Sequence, residues 1–166
     1  MMNDNGEGVP KDFTEAVRRC RLAAEQGDAN AQFDLGLMYY SGEGVPKDAT
    51  EAVRWFRLAA DQGYAGAQYA LGNMYSYGEG VPKDATEGVR WFRLAADQGT
   101  AVAQSDLGIM YADGRGVPKD ATEAVRWYRL AAEQGDTFAQ FNLGTMYNKG
   151  EGVPEDYAEA VRWFRL

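Results

Sequence analysis

Proline stands at Pro10, Pro46, Pro82, Pro118 and Pro154, each 36 residues after the last. The stretch between them repeats as well. Gly44–Gly63 reads GVPKDATEAVRWFRLAADQG, returns at Gly80–Gly99 with Gly88 in place of Ala52, and returns in closely related form at Gly116–Gly135. A self-similar period of this length means a stack of small helical or helix-turn units, in which each copy buries its apolar face only against its neighbours. The composition follows from the repeat: 18 of the 20 glycines and all four tryptophans sit at repeated positions, so neither needs a separate explanation.

Two kinds of helix alternate within the period. Asp12, Asp48, Asp84, Asp120 and Asp156 each precede a run of helical periodicity, with a glutamate three residues on (Glu15, Glu51, Glu87, Glu123, Glu159). That pairing reads as an N-cap with a capping box. The Gly-Val-Pro turn before each Asp resists continuation of a helix, and Gly27, Gly63, Gly99 and Gly135 suit the position just past a helix end. These five are the B helices. Four A helices are expected between them, at Ala29–Ser41, Ala65–Tyr77, Ala101–Asp113 and Thr137–Lys149. The division is a lone B helix at 12–27 followed by repeats 28–63, 64–99, 100–135 and 136–166. At 100° per residue, Ala52, Trp55, Phe56, Ala59 and Ala60 share one arc of a B helix, opposite Arg54, Arg57 and Asp61. Each A helix carries a glycine in its middle (Gly36, Gly72, Gly108, Gly144). Glycine costs a helix interior about 1 kcal/mol relative to alanine, so its return predicts a neighbour too close for a methyl group. Trp163 and Phe164 of the last B helix have no following A helix in the sequence, and the expectation is an uncovered end able to associate with another copy.

The combination Ala31, Leu35-Gly36, Tyr39, Gly42, Gly44, Asp48, Ala52, Trp55, Ala59-Ala60 and Gly63 resembles the Sel-one-like repeat (SLR) family, which is related to the tetratricopeptide repeats. The resemblance covers essentially the whole chain. It implies an all-α, right-handed α-solenoid of antiparallel helix pairs, with A helices lining the concave side. It also implies an adaptor or scaffold role in protein complexes. A cysteine-rich secreted branch of that family is associated with penicillin binding or hydrolysis, which sets a β-lactamase-like enzyme among the alternatives. This chain departs from that branch, because Cys20 is its only cysteine and no disulfide within a repeat can form.

Comparing copies within the chain singles out one face. Gln32, Leu35, Gly36, Met38 and Tyr39 persist in every A helix, whereas the opposite positions change and often hold large apolar side chains. Phe33, Leu37 and Tyr40 become Tyr69, Asn73 and Ser76; Tyr77 stands where the first copy has Ser41; later on, Ile109 stands where it has Leu37, Phe141 where it has Phe33 and Asn142 where it has Asp34. Fixed packing with a varied, aromatic-rich face suits recognition of an irregular partner. The candidate contacts are therefore Phe33, Leu37, Tyr40, Tyr69, Asn73, Tyr77, Ile109, Phe141 and Asn142, with a protein or peptide as the expected partner. Two other readings remain open: drift at solvent-facing positions, and rings that pack against the next copy. A recently duplicated or engineered array with no partner is a further alternative, favoured by the near-identity of Asp48–Gly63 and Asp84–Gly99.

Other classes find little support. The net charge of −8 opposes binding to nucleic acid, whose affinity comes mainly from neutralising phosphates. No apolar run is long enough to cross a bilayer. The first twelve residues show no signal-peptide pattern, and a cytoplasmic location is the default expectation. No histidine is present, which removes the commonest general base and zinc ligand. Cys20 has no histidine to activate it, and Ser41, Ser76 and Ser105 start no Ser-x-x-Lys motif. No catalytic residue, metal or cofactor is expected. The paired arginines, such as Arg54 and Arg57, read as a solvated face neutralised by the nearby glutamates.

Overall fold

The computed structural model describes residues 9–165, with side chains described from Glu15 onward. Nine helices run among them: α1 (Val9–Glu25), α2 (Ala29–Ser41), α3 (Ala49–Asp61), α4 (Ala65–Tyr77), α5 (Ala85–Asp97), α6 (Ala101–Asp113), α7 (Ala121–Glu133), α8 (Thr137–Lys149) and α9 (Tyr157–Phe164). Even-numbered helices are the A helices, and each packs most closely against the B helix that follows it. The result is an all-α solenoid of stacked helix pairs.

The helix ends follow the repeat. Asp48 Oδ1 accepts from the backbone N–H groups of Thr50 and Glu51, and Asp84, Asp120 and Asp156 do the same in their copies. At the other end, the Tyr64 N–H bonds the Ala59 carbonyl and the Gly63 N–H bonds that of Ala60, with Gly63 at φ +88°. This Schellman arrangement needs the left-handed conformation that glycine adopts without strain.

Two details differ from the sequence expectation. The glutamates do not close a capping box. The Asp48 N–H already donates to the Tyr39 carbonyl at 2.8 Å, so Glu51 turns instead to Arg54, also at 2.8 Å. In addition, α1 begins at Val9 rather than after a cap at Asp12. The Gly-Val-Pro turns of later copies are tied back to the preceding A helix by that same Asp N–H to Tyr carbonyl bond. In α1 Pro10 falls within the first turn, a position where proline costs a helix no hydrogen bond.

The mid-helix glycines are explained by a ring. A Cβ on Gly36 would lie 2.6 Å from the Phe56 ring, and Gly108 and Gly144 stand in the same relation to Tyr128 and Phe164, at 2.5 and 2.6 Å; Gly72 meets Phe92 likewise. Each A helix therefore sets its glycine directly against the aromatic ring of the next B helix. The tryptophans point the other way along the stack. Trp91 packs with Ala52, Val53, Phe56, Ala59 and Ala60 of the previous copy, and Trp127 packs with Val89, Phe92, Ala95 and Ala96. Phenylalanine meets the glycine of its own A helix, and tryptophan closes a cluster built from the B helix before it and the A helix between them. Together they make the core continuous from copy to copy.

A polar ladder runs beside this core. Buried Gln68 donates its Nε2 to the Ala60 carbonyl at 3.2 Å, and its Oε1 accepts from Gln98 Nε2 at 2.7 Å. Gln32 with Gln62 and Gln104 with Gln134 repeat the bond. Each rung adds a second donor to a carbonyl at the end of a B helix, beside the glycine N–H that already bonds it, and so ties one copy to the next.

The arginines divide into two sets. Arg54, Arg90, Arg126 and Arg162 pair with the glutamate three residues earlier, as the sequence suggested. Arg21, Arg57, Arg93 and Arg129 donate instead to the hydroxyls of Tyr39, Tyr75, Tyr111 and Tyr147 on the following A helix. Half of the expected self-neutralised face is thus a set of interhelical clamps.

Candidate functional site

A hollow of about 500 Å³ lies between helices α2 and α4. Six of the nine sequence-predicted contacts line it: Phe33, Leu37, Tyr40, Tyr69, Asn73 and Tyr77. Its floor is apolar. Phe33 lies against Phe56, with ring centroids 5.6 Å apart, and against Tyr64 at 4.9 Å, while Met74 and Ala70 close the base. Gly66 belongs to the wall, where a Cβ would crowd the rings of Tyr64 and Phe33. The rim is amphipathic. The Tyr40 hydroxyl donates to Glu79 Oε2 at 2.8 Å, and Lys47 Nζ lies 5.5 Å from the centre of the Tyr40 ring. The bond to Glu79, followed by partial burial and the carboxylate's charge, raises the Tyr40 phenol above its ordinary pKa. Asn73 spends its amide N–H on the Tyr69 carbonyl one turn back, so its side-chain oxygen is left for other donors.

Leu37 and Tyr77 are 41% and 66% exposed, too much for residues held only by packing. Phe33 and Tyr69 are half-buried, each resting on the phenylalanine of the following B helix. These two rings serve the fold as well as the hollow, so one of the open alternatives applies to them in part. Ser105, in the same register, is buried.

The other three predicted residues lie elsewhere. Ile109 lines a second hollow of about 270 Å³ together with Tyr69, Val102, Ser105, Asp106, Asp136 and Phe138. Phe141, 62% exposed, stacks on Phe164 with centroids 5.8 Å apart, beside Thr137, Gln140 and Trp163. Asn142 lines none of these hollows and donates to the Phe138 carbonyl of its own helix at 2.8 Å. The sequence reading missed Glu79, which arrives from the turn of the next copy, and the carboxylates of the second hollow. Asp106 and Asp136 stand at positions that vary from copy to copy (Asp34, Ala70 and Asn142 for the one, Asp28, Tyr64 and Thr100 for the other), but only stacking brings them together.

The expected uncovered pair at the last B helix is corrected. Trp163 is 7% exposed and packs back on Val125, Tyr128 and the alanines around them, as every tryptophan of the series does on the copy before it. Phe164 alone of the pair is open, at 48%. Among the described residues no group of three or more metal-ligating side chains converges, and no helix is long and apolar enough to cross a membrane.

Comparisons with known proteins agree with this architecture. The sequence matches the Sel1 repeat over residues 1–28, 29–64, 65–100, 101–136 and 137–166. Among solved structures, a protective antigen present in uropathogenic Escherichia coli strains, displaying an SLR fold, is 46% identical with a TM-score of 0.88 over 90% of this chain. A Sel1 repeat protein from Oxalobacter formigenes is 41% identical, again with a TM-score of 0.88, over 92% of this chain. The chain spans 32% of the first protein and 63% of the second. Helicobacter pylori cysteine rich protein B shares the fold at 22% identity and a TM-score of 0.63, with 81% of this chain and 97% of that one covered. Among curated proteins no relative matches.

Proposed function

This chain belongs to the Sel1 repeat family, and from that premise we propose that it is a non-catalytic scaffold that binds a protein segment in the groove lined by its A helices. Proteins of the family are typically interaction scaffolds, which sets the class. One observation carries the choice of surface: the α2–α4 hollow is walled by side chains that change from copy to copy, while the packing beneath it is held constant. A hollow of about 500 Å³ takes one or two large apolar side chains. The exposed Leu37 and Tyr77 would be covered by them, each contributing about 1.5–3 kcal/mol if fully buried. Such a groove holds a peptide at micromolar strength, about −8 kcal/mol.

Selection from a displayed random-peptide library on the full chain tests this reading. The expected result is an enriched family of peptides that loses binding to the double variant Leu37→Ala/Tyr77→Ala, whose thermal midpoint stays near that of the parent because both side chains are exposed. Failure to enrich any sequence would favour the alternative of an array without a partner, to which the near-identity of Asp48–Gly63 and Asp84–Gly99 gives its only support.

A further inference from the structure

The second hollow differs in chemistry from the first, and the two share a wall. Tyr69 closes the α2–α4 hollow on one side and opens onto the Val102–Ile109–Phe138 hollow on the other. In the second hollow, two carboxylates stand among apolar walls. Asp136 Oδ1 is committed, accepting from Ala139 N–H at 2.7 Å and from Ser105 Oγ at 3.2 Å, which fixes the carboxylate's orientation. Its other oxygen has no bond among the described residues. Asp106 forms no ion pair among them either: Arg115, the cation on its other side, turns to Asp113 at 3.3 Å. Burial first, and then the charge of Asp136, hold the Asp106 carboxyl above the usual range against the opposing pull of the Tyr69 hydroxyl and Arg115. A cation placed between the two aspartates would relieve both effects.

We propose that the segment bound in this groove carries an apolar anchor for the first hollow and, about three or more residues along, a lysine or arginine for the second. This deepens the function proposed above and rests on it. Charge complementarity names the occupant. Val102, Ile109 and Phe138 suit the aliphatic stem of a long basic side chain, the Tyr69 ring suits a cation above its face, and the two carboxylates receive the charged head. The spacing follows from the stacking. Directly packed helices lie ~8–10 Å apart, successive A helices stand no closer than that, and an extended chain advances ~3.3–3.6 Å per residue, so side chains seated in consecutive hollows are about three or more residues apart.

The test uses a phage-displayed random heptapeptide library on the full-length chain, followed by titration of the enriched peptide and of its analogue with norleucine in place of the basic residue. The expected consensus pairs an aromatic or aliphatic residue with Lys or Arg three or more positions away. The norleucine analogue should bind the parent about fivefold more weakly, the worth of a partly exposed ion pair, and should lose that disadvantage on Asp106→Asn/Asp136→Asn. Asparagine keeps the cap of α8, and Asp106→Asn alone serves as a second variant that leaves the cap untouched. Equal binding of the two peptides to the parent, or a basic peptide indifferent to both variants, overturns this proposal and leaves the groove reading standing. No enrichment at all overturns both.

Discussion

Replacing Gly72 by alanine should destabilise this protein, although the same change in an ordinary helix interior stabilises by about 1 kcal/mol. The added Cβ would enter the Phe92 ring, which is 2% exposed and borders only a hollow of about 30 Å³, too small to take the displaced ring. Overpacking of this kind costs about 1–3 kcal/mol. Set against the gain in propensity, the net loss reaches about 2 kcal/mol, or roughly 4–8 °C in melting temperature for a chain of this size. Gly144→Ala supplies the internal contrast. Its facing ring, Phe164, is 48% exposed and can move aside, so that variant should lie within about 0.5 kcal/mol of the parent. Urea denaturation of Gly72→Ala in the parent and in a Phe92→Leu background isolates the contact, since the substitution should become neutral or stabilising once the ring is gone. A Gly72→Ala chain more stable than the parent, or an equal cost in both backgrounds, would refute the ring-on-glycine account.

Further expectations concern the polar groups. Gln68→Leu strips one of the partners of the Ala60 carbonyl and of Gln98 Nε2, each of which keeps another, and should cost about 0.5–1.5 kcal/mol in urea titration, whereas Gln98→Ala, which cuts the exposed side of the same rung, should cost less. The Cys20 thiol is pushed up in pKa, chiefly by burial and then by the charges of Asp34 and Asp28, and its Sγ donates to the Ala31 carbonyl at 3.2 Å. It should therefore react with a disulfide reagent at pH 8 more slowly in the folded chain than in urea, because less thiolate is present. Asp106 titrates higher folded than unfolded, so the folded state holds more protons between those two values, and stability falls as pH rises through that window. Asp136, Arg115 and Tyr69 are the groups that face it. Asp106→Asn removes this dependence and should raise the melting temperature relative to the parent more at pH 7 than at pH 4.

The A and B helices, their aspartate caps and the role of the mid-helix glycines were readable in the sequence, because a period of 36 shows the same local chemistry several times over. What could not be read was the direction of contacts between copies. Nothing local says that Trp163 is buried in the cluster of the previous copy while Phe164, resting on Gly144 and Phe141, stays half open, so the pair looked equally uncovered. The capping box failed for a similar reason, since the Asp48 N–H is taken by a carbonyl nine residues earlier that only the fold brings near. Periodicity placed Phe33, Leu37, Tyr40, Tyr69, Asn73 and Tyr77 on one face, and they do line one hollow. It placed Ile109, Phe141 and Asn142 there too, but a stack with about one hollow per pair of A helices spreads them over different neighbourhoods. Glu79 and the Asp106–Asp136 pair come from separate copies, and no single helical wheel contains them.

The account holds that repeated packing builds the frame and that the changing A-helix residues do the reading. Backbone chemical-shift mapping of an enriched peptide on the isotope-labelled full chain addresses this directly. The shifts should gather on Leu37, Tyr40, Asn73 and Tyr77 and extend toward Asp106. Shifts gathered instead on Leu58, Leu94 and Leu130, the exposed leucines that recur unchanged on the B helices, would contradict it.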